Sequence, residues 1–334
     1  MNRILLSTTI SLAVATPFVM HSEDSTDNPN RFFLGPRFGM NFKADFQDNA
    51  ANFNSVNPGP ATGGANHTYN DGQVLVDNSG NAGGRTWNWG YQNASQVVGD
   101  TLQFHAIQSS GSASTTGNPQ FGGELVYQRV IGRLPFVSAG SWGLEAGFGL
   151  TDINLQDNRG GPGGVTTDTY ALNGVLPPSA GYNGSFAGPG ALLGDTPTRT
   201  LGSAILTSNQ KLSGQLFSIR IGPFVEWNFT HQLSLAAGAG LTLAPGTIDY
   251  DFSETGTLPG GSTYVARGHS SKTELLYGPY VGAMLRYDFS KNWGIFVGAQ
   301  FQSLNDLVES VGTHTARLDQ SATVYGTLGI SWRF

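Results

Sequence analysis

Few residues of this chain are of types that do chemistry, and they are poorly grouped. His269, Ser270 and Ser271 are adjacent, but a His activates a Ser only within hydrogen-bond reach, and no carboxylate partner is apparent beside them. Asp249 and Asp251 would share one strand face and could bind Ca²⁺, although a lone Asp-x-Asp reads more simply as solvated. His67, His105, His231 and His314 are scattered without metal-ligand spacing. The chain has no Cys, which removes thiolate metal sites, disulfides and Cys nucleophiles. The run Gly160-Gly161-Pro162-Gly163-Gly164 lacks the Lys-Ser or Lys-Thr that completes a phosphate loop. The expectation is therefore no catalytic, cofactor-binding or metal residue, no cofactor and no enzyme.

The elements that would position any site are legible from composition and period. Charged residues are 12% and Gly is 47 of 334, about half and about twice the usual shares. After the N-terminus no run of about 20 apolar residues exists, so a helical membrane protein is not expected. The 20 Phe, 11 Tyr and 6 Trp argue against disorder. The balance is acidic, 17 Lys+Arg against 23 Asp+Glu, with no basic run to follow a phosphate backbone, so nucleic acid is not an expected partner. Residues 1–15 read as a signal peptide, with Arg3, an apolar stretch and Ala13-Val14-Ala15 for cleavage; a cut nearer 21 is the alternative. Residues 16–30 form a short polar leader and 31–334 a single β domain.

Two-residue alternation runs through that domain. Val324, Leu328, Ile330, Trp332 and Phe334 fall on one face, and Thr323, Tyr325, Thr327, Ser331 and Arg333 on the other. Phe217, Ile219, Ile221, Val225 and Trp227 likewise oppose Ser218, Arg220 and Glu226. Eight strands are predicted near 31–42, 120–131, 141–156, 212–229, 232–252, 273–289, 293–304 and 319–334. They are long enough for a tilted strand to cross a bilayer, and aromatics mark their ends. Long and short connections alternate, with turns at Asn228-Phe229-Thr230-His231 and Phe289-Ser290-Lys291-Asn292. The fold class is thus all-β, an antiparallel up-and-down transmembrane barrel of eight strands; ten is the alternative count.

With those segments in place, the chain resembles the small eight-stranded outer-membrane barrels of Gram-negative bacteria, the OmpA, OmpX and opacity-protein type. The final strand, with Ile330, Trp332 and Phe334 at alternate positions, is similar to the signal read by the outer-membrane insertion machinery. The hairpin from Tyr287 to Trp293 resembles the periplasmic turns of such barrels. The resemblance implies the cell outer membrane, contact with its lipid and lipopolysaccharide, and the insertion machinery as a partner. No peptidoglycan-binding domain follows the barrel, so wall anchoring by that route is not implied. His269 and Ser271 resemble the His and Ser two apart in lipid A deacylases, but Gly268 and Lys272 do not extend that motif.

Phase assigns Arg37, Glu124, Glu145, Arg220, Glu226, Arg286, Asp288 and Arg333 to the lumen, where charges must be paired. Eight strands leave an interior just wide enough for side chains, so a packed polar core is expected. Arg129 falls on the apolar face, near a periplasmic end. Two large loops complete the reading. In loop 43–119, Trp87, Trp89 and Tyr91 share a face at strand spacing, and this patch reads as a satellite core. A hairpin with a stacking surface for sugars or a protein, or two further spanning strands, are the alternatives. Loop 157–211, rich in Gly and Pro, reads as irregular surface. The expected function is a structural or surface-interaction barrel whose loops could meet an extracellular ligand; the alternative is a narrow porin-like channel.

Overall fold

A computed structural model describes residues 29–53, 56–117, 119–135, 139–258 and 261–334; the predicted signal peptide lies outside them. In chain order the strands are β1 (Asn30–Met40), β2 (Lys43–Asn52), β3 (His67–Tyr69), β4 (Gly72–Val74), β5 (Arg85–Thr86), β6 (Trp89–Tyr91), β7 (Val97–Val98), β8 (Thr101–Thr116) and β9 (Gln120–Arg133). There follow β10 (Gly140–Ala171), β11 (Leu193–Gly194), β12 (Thr198–Asn228), β13 (Leu233–Thr257), β14 (Thr263–Asp288), β15 (Trp293–Gln302), β16 (Leu307–Val311), β17 (His314–Asp319) and β18 (Thr323–Arg333).

Eight of these close into a ring, β1-β9-β10-β12-β13-β14-β15-β18 and back to β1, every pair antiparallel. Closure removes sheet edges. The two short turns form where the sequence placed them, and alike: Thr230 Oγ1 accepts from the Leu233 amide at 2.9 Å, and Ser290 Oγ from the Trp293 amide at 3.0 Å. The ring's outward positions carry an apolar belt that includes Leu144, Phe148, Ile219, Ile221, Leu241, Val281, Ile295 and Leu328, all exposed. Trp142, Tyr287, Trp293 and Trp332 border it at the short-turn end. A continuous belt of this kind far exceeds the patch a soluble monomer shows; its solvent is a bilayer.

Four ring strands, β10, β12, β13 and β14, run on far beyond the belt. The 31 residues of β12 span about 100 Å at ~3.3 Å per residue, whereas crossing a bilayer takes about 9–11 residues. Above the belt β1, β9, β15 and β18 end and other strands take their places. Upper β10 pairs with β8, β8 with β2, β2 with β17 and β17 with β16. Lys272 Nζ on β14 then donates to the Val308 carbonyl on β16 at 2.9 Å. A second assembly of eight strands thus stands on the first, sharing four of them.

This corrects two expectations. Residues 157–171 and 198–211 are not irregular loop: Asp157 faces Gln210 and the ladder continues to Thr169 facing Thr198. Pro162 is tolerated because β10 has β12 on one side there and no ladder on the other, between its last pair with β9 at Thr151 and its first with β8 at Gly164. Loop 43–119 likewise contributes β2 and β8 to the upper wall. These are not ninth and tenth spanning strands; the ring has eight.

Candidate functional site

Inward side chains of the ring fill its lumen in tiers. At the short-turn end Glu226 accepts from Arg31 at 2.5 Å and faces Arg286 at 3.0 Å; Arg286 meets Asp288 at 3.2 Å, and Asp288 meets Arg333 at 3.1 Å. Half-way up, Arg220 pairs with Glu124, donates to Gln300 and lies 3.7 Å from Glu145. Glu145 also accepts from Gln128 at 2.9 Å and Tyr280 at 2.8 Å. Higher still, Arg37 donates to Ser218 at 2.8 Å and lies over the Tyr325 ring at 3.4 Å. The cavity among Glu124, Gln128, Glu145, Arg220 and Gln300 is about 30 Å³, room for about one or two waters.

Of the eight residues that phase assigns to the lumen, Glu124, Glu145, Arg220, Glu226, Arg286, Asp288 and Arg333 join ion pairs within these tiers, and Arg37 lies against Ser218 and Tyr325. Arg31 was missed although parity exposes it: 31, 33, 35 and 37 share a face of β1, and Arg31 is 1% exposed. Glycines make room for the arginines. A Cβ on Gly149 would fall 2.2 Å from Arg37 Nη1, and one on Gly147 2.9 Å from Arg220 Nε. Arg129 stays on the outer face, exposed.

Above the lumen the interior turns apolar. Phe42, Phe46, Leu212, Leu216, Ile248, Tyr250, Leu276 and Leu318 form one buried cluster inside the upper wall. A second cluster caps it, made of Tyr69, Val74, Trp89, Tyr91, Leu102, Phe104, Tyr170 and Leu193. Tyr69 donates to Asp168 at 2.6 Å there, and Arg199 grips the same carboxylate at 2.6 Å while bonding the Gly59 and Pro58 carbonyls. Burial, then neighbouring Tyr170, pushes the Tyr69 phenol up, so it remains a donor.

The aromatic patch belongs to this cap. Trp89 and Tyr91 are stacked and buried, and the Trp89 indole donates to the Ala191 carbonyl at 2.7 Å. Trp87 is only half-buried and bonds the Phe186 carbonyl, so the three do not present one common stacking face.

The histidines find partners that spacing did not reveal. His269 faces Asp251 across β13 and β14 at 2.8 Å, a carboxylate partner that the sequence did not make apparent. The pair is exposed on the outer wall, 62% and 50%. His67 lies between the Pro58 and Thr62 carbonyls, and His105 against Asp71. His314 on β17 meets Asp48 on β2 and Glu254 on β13.

No family model matches the sequence, and no curated protein matches it. Solved structures do. The outer membrane protease OmpT from Escherichia coli is 11% identical, with a TM-score of 0.31, over 94% of this chain and 99% of that one. Ail, the attachment invasion locus protein of Yersinia pestis in complex with the heparin analogue sucrose octasulfate, is 11% identical, with a TM-score of 0.26, over 91% and 99%. OprG from Pseudomonas aeruginosa is 10% identical, with a TM-score of 0.28, over 92% and 97%. At such identities and scores the likeness carries no argument about family or activity.

Proposed function

We propose that this chain is a non-enzymatic barrel of the bacterial outer membrane, closed to solutes, whose membrane ring anchors a large extracellular structure for surface interaction. One observation carries the reading. Four arginines (31, 220, 286, 333) and four carboxylates (124, 145, 226, 288) occupy the lumen in mixed-sign contact, with Arg37 beside Ser218 and Tyr325 and the apolar cluster seated above. A selective pore more often carries a ring of one sign. The belt supports contact with membrane lipid and lipopolysaccharide, and the cap built from 43–119 and 157–211 is the surface for an extracellular ligand. The face of Ile330, Trp332 and Phe334 is the part the insertion machinery would read; Phe334 stacks on Trp332 at 4.7 Å and Phe32 at 5.5 Å. Planar-bilayer recording of the purified, refolded full chain tests the closed lumen. Silence is expected; steady, reproducible steps would replace this reading with the narrow porin-like channel.

A further inference from the structure

Three buried polar side chains of the upper interior converge, two carboxylates on one imidazole. Asp48 and His314 are direct cross-strand partners on β2 and β17. Glu254 projects from β13, where it is in register with Ser208 of β12. One donor atom from each lies within 4.8 Å of the others. The side chains are almost fully enclosed: Asp48 is 2% exposed, Glu254 5% and His314 10%. His314 Nε2 is 3.3 Å from Glu254 Oε2 and 3.8 Å from Asp48 Oδ2. Ser109 bonds both carboxylates and Ser208 bonds Glu254, yet Nε2, Glu254 Oε2 and Asp48 Oδ1 are buried with no well-aligned hydrogen-bond partner.

Neither charge state of the imidazole explains this alone. A protonated Nε2 has one N–H for two carboxylates, so its contact with Glu254 leaves Asp48 Oδ1 unmet. A neutral ring with an unprotonated Nε2 would turn its lone pair toward two anions, and unpaired buried charge is costly. The ring is held by packing instead: it stacks on Phe252 with centroids 3.9 Å apart and planes 13° from parallel. Arg159, whose charge reaches Asp48, is itself paired with Asp157 at 3.6 Å. A cation at the common point satisfies all three donors at once.

We propose that Asp48, Glu254 and His314 form a site for one divalent first-row transition ion, with Zn²⁺ as its type, on the extracellular side of the barrel. One imidazole nitrogen with two carboxylates is a donor set that zinc takes. Ca²⁺ is the poorer fit, since it seeks six to eight oxygens. The ion would tie β2, from the first long connection, and β17, from the last, to the continuous strand β13. Its enclosure suits a structural clasp.

The test uses the refolded full chain, stripped with a chelator and titrated with Zn²⁺ by calorimetry, with metal analysis after gel filtration. One saturable equivalent per chain is expected, with a rise in thermal midpoint on loading. Asp48→Asn and His314→Gln should each abolish both. X-ray absorption on the loaded wild-type chain should give nitrogen and oxygen ligands at about 2.0–2.2 Å, and this readout needs no variant to fold. Wild-type chain without saturable uptake, or variants with uptake equal to wild type, would overturn the site and leave a buried ion triad.

Discussion

The lower and upper halves of β12 and β13 obey the same geometry and opposite chemistry. Even-numbered residues point inward along β13 and along β12 from Ala204 onward. In the membrane half these are Ser218, Arg220 and Glu226, or Ser234 and Thr242, while Ile219, Ile221, Leu241 and Leu243 face out. Above the belt Leu212, Ile248, Tyr250 and Phe252 face in, and Thr207, Asn209, Ser213 and Gln215 stand outside. The polarity inverts without any change of parity. Strand geometry fixes which residues share a face; the surrounding solvent fixes which face is apolar. One continuous wall therefore serves as a membrane barrel with a polar lumen and as a water-facing barrel with an apolar core.

The contrast can be broken at its strongest point first. Glu226→Gln leaves Arg31 and Arg286 without their shared carboxylate, and losing one partner of a buried pair costs about 3–5 kcal/mol. Denaturant unfolding from lipid vesicles should register that loss. Next comes a paired comparison on one strand face. Ile219→Lys puts a charge into the belt and should cost about 2–4 kcal/mol at mid-membrane. Asn209→Lys, on the same face of β12 but above the belt, should stay within about 0.5 kcal/mol. Equal costs in the same unfolding assay would sink the inversion. Gly149→Val should cost about 1–3 kcal/mol by overpacking, because its side chain meets Arg37 and Ser218; unchanged stability would mean that the lumen has slack.

The smallest effect lies in the cap. Burial acts to raise the Asp77 pKa, but hydrogen bonds from Ser79, Asn81 and Trp87 outweigh it and hold the carboxyl below its ordinary value. A depressed folded pKa stabilises above the unfolded value, and that contribution is lost as pH falls through the folded one. Acidification should therefore loosen this segment while the ring stays intact, and Asp77→Asn should remove that pH dependence. Tryptophan fluorescence of the cap against pH checks it.

How much could be read in advance varied with the kind of residue. The ring was legible because its outward positions are Leu, Ile, Phe and Trp, which leave a period-two trace, and Thr230 and Ser290 stand at its turns. The extensions Asp157–Ala171 and Thr198–Lys211 were not. Their outward residues are mostly polar, with Leu201 and Ile205 the exceptions, and glycines such as Gly161 and Gly163 blur the inward face. Asp251 became a partner for His269 only through the β13–β14 register. The Asp48, Glu254 and His314 cluster left no local trace at all, since each residue comes from a different strand.

The sequence by itself determined the ring strands, the short turns and the face on which each lumen charge stands, because alternation is a property of the local chain. Tertiary structure alone decided that two long connections donate β2, β8, β16 and β17 to a second wall. It also decided that Arg31 shares Glu226 with Arg286 and that His314 stands against two carboxylates. Those outcomes depend on register between distant segments, which cross-strand hydrogen bonding and packing set and which no single strand's pattern encodes.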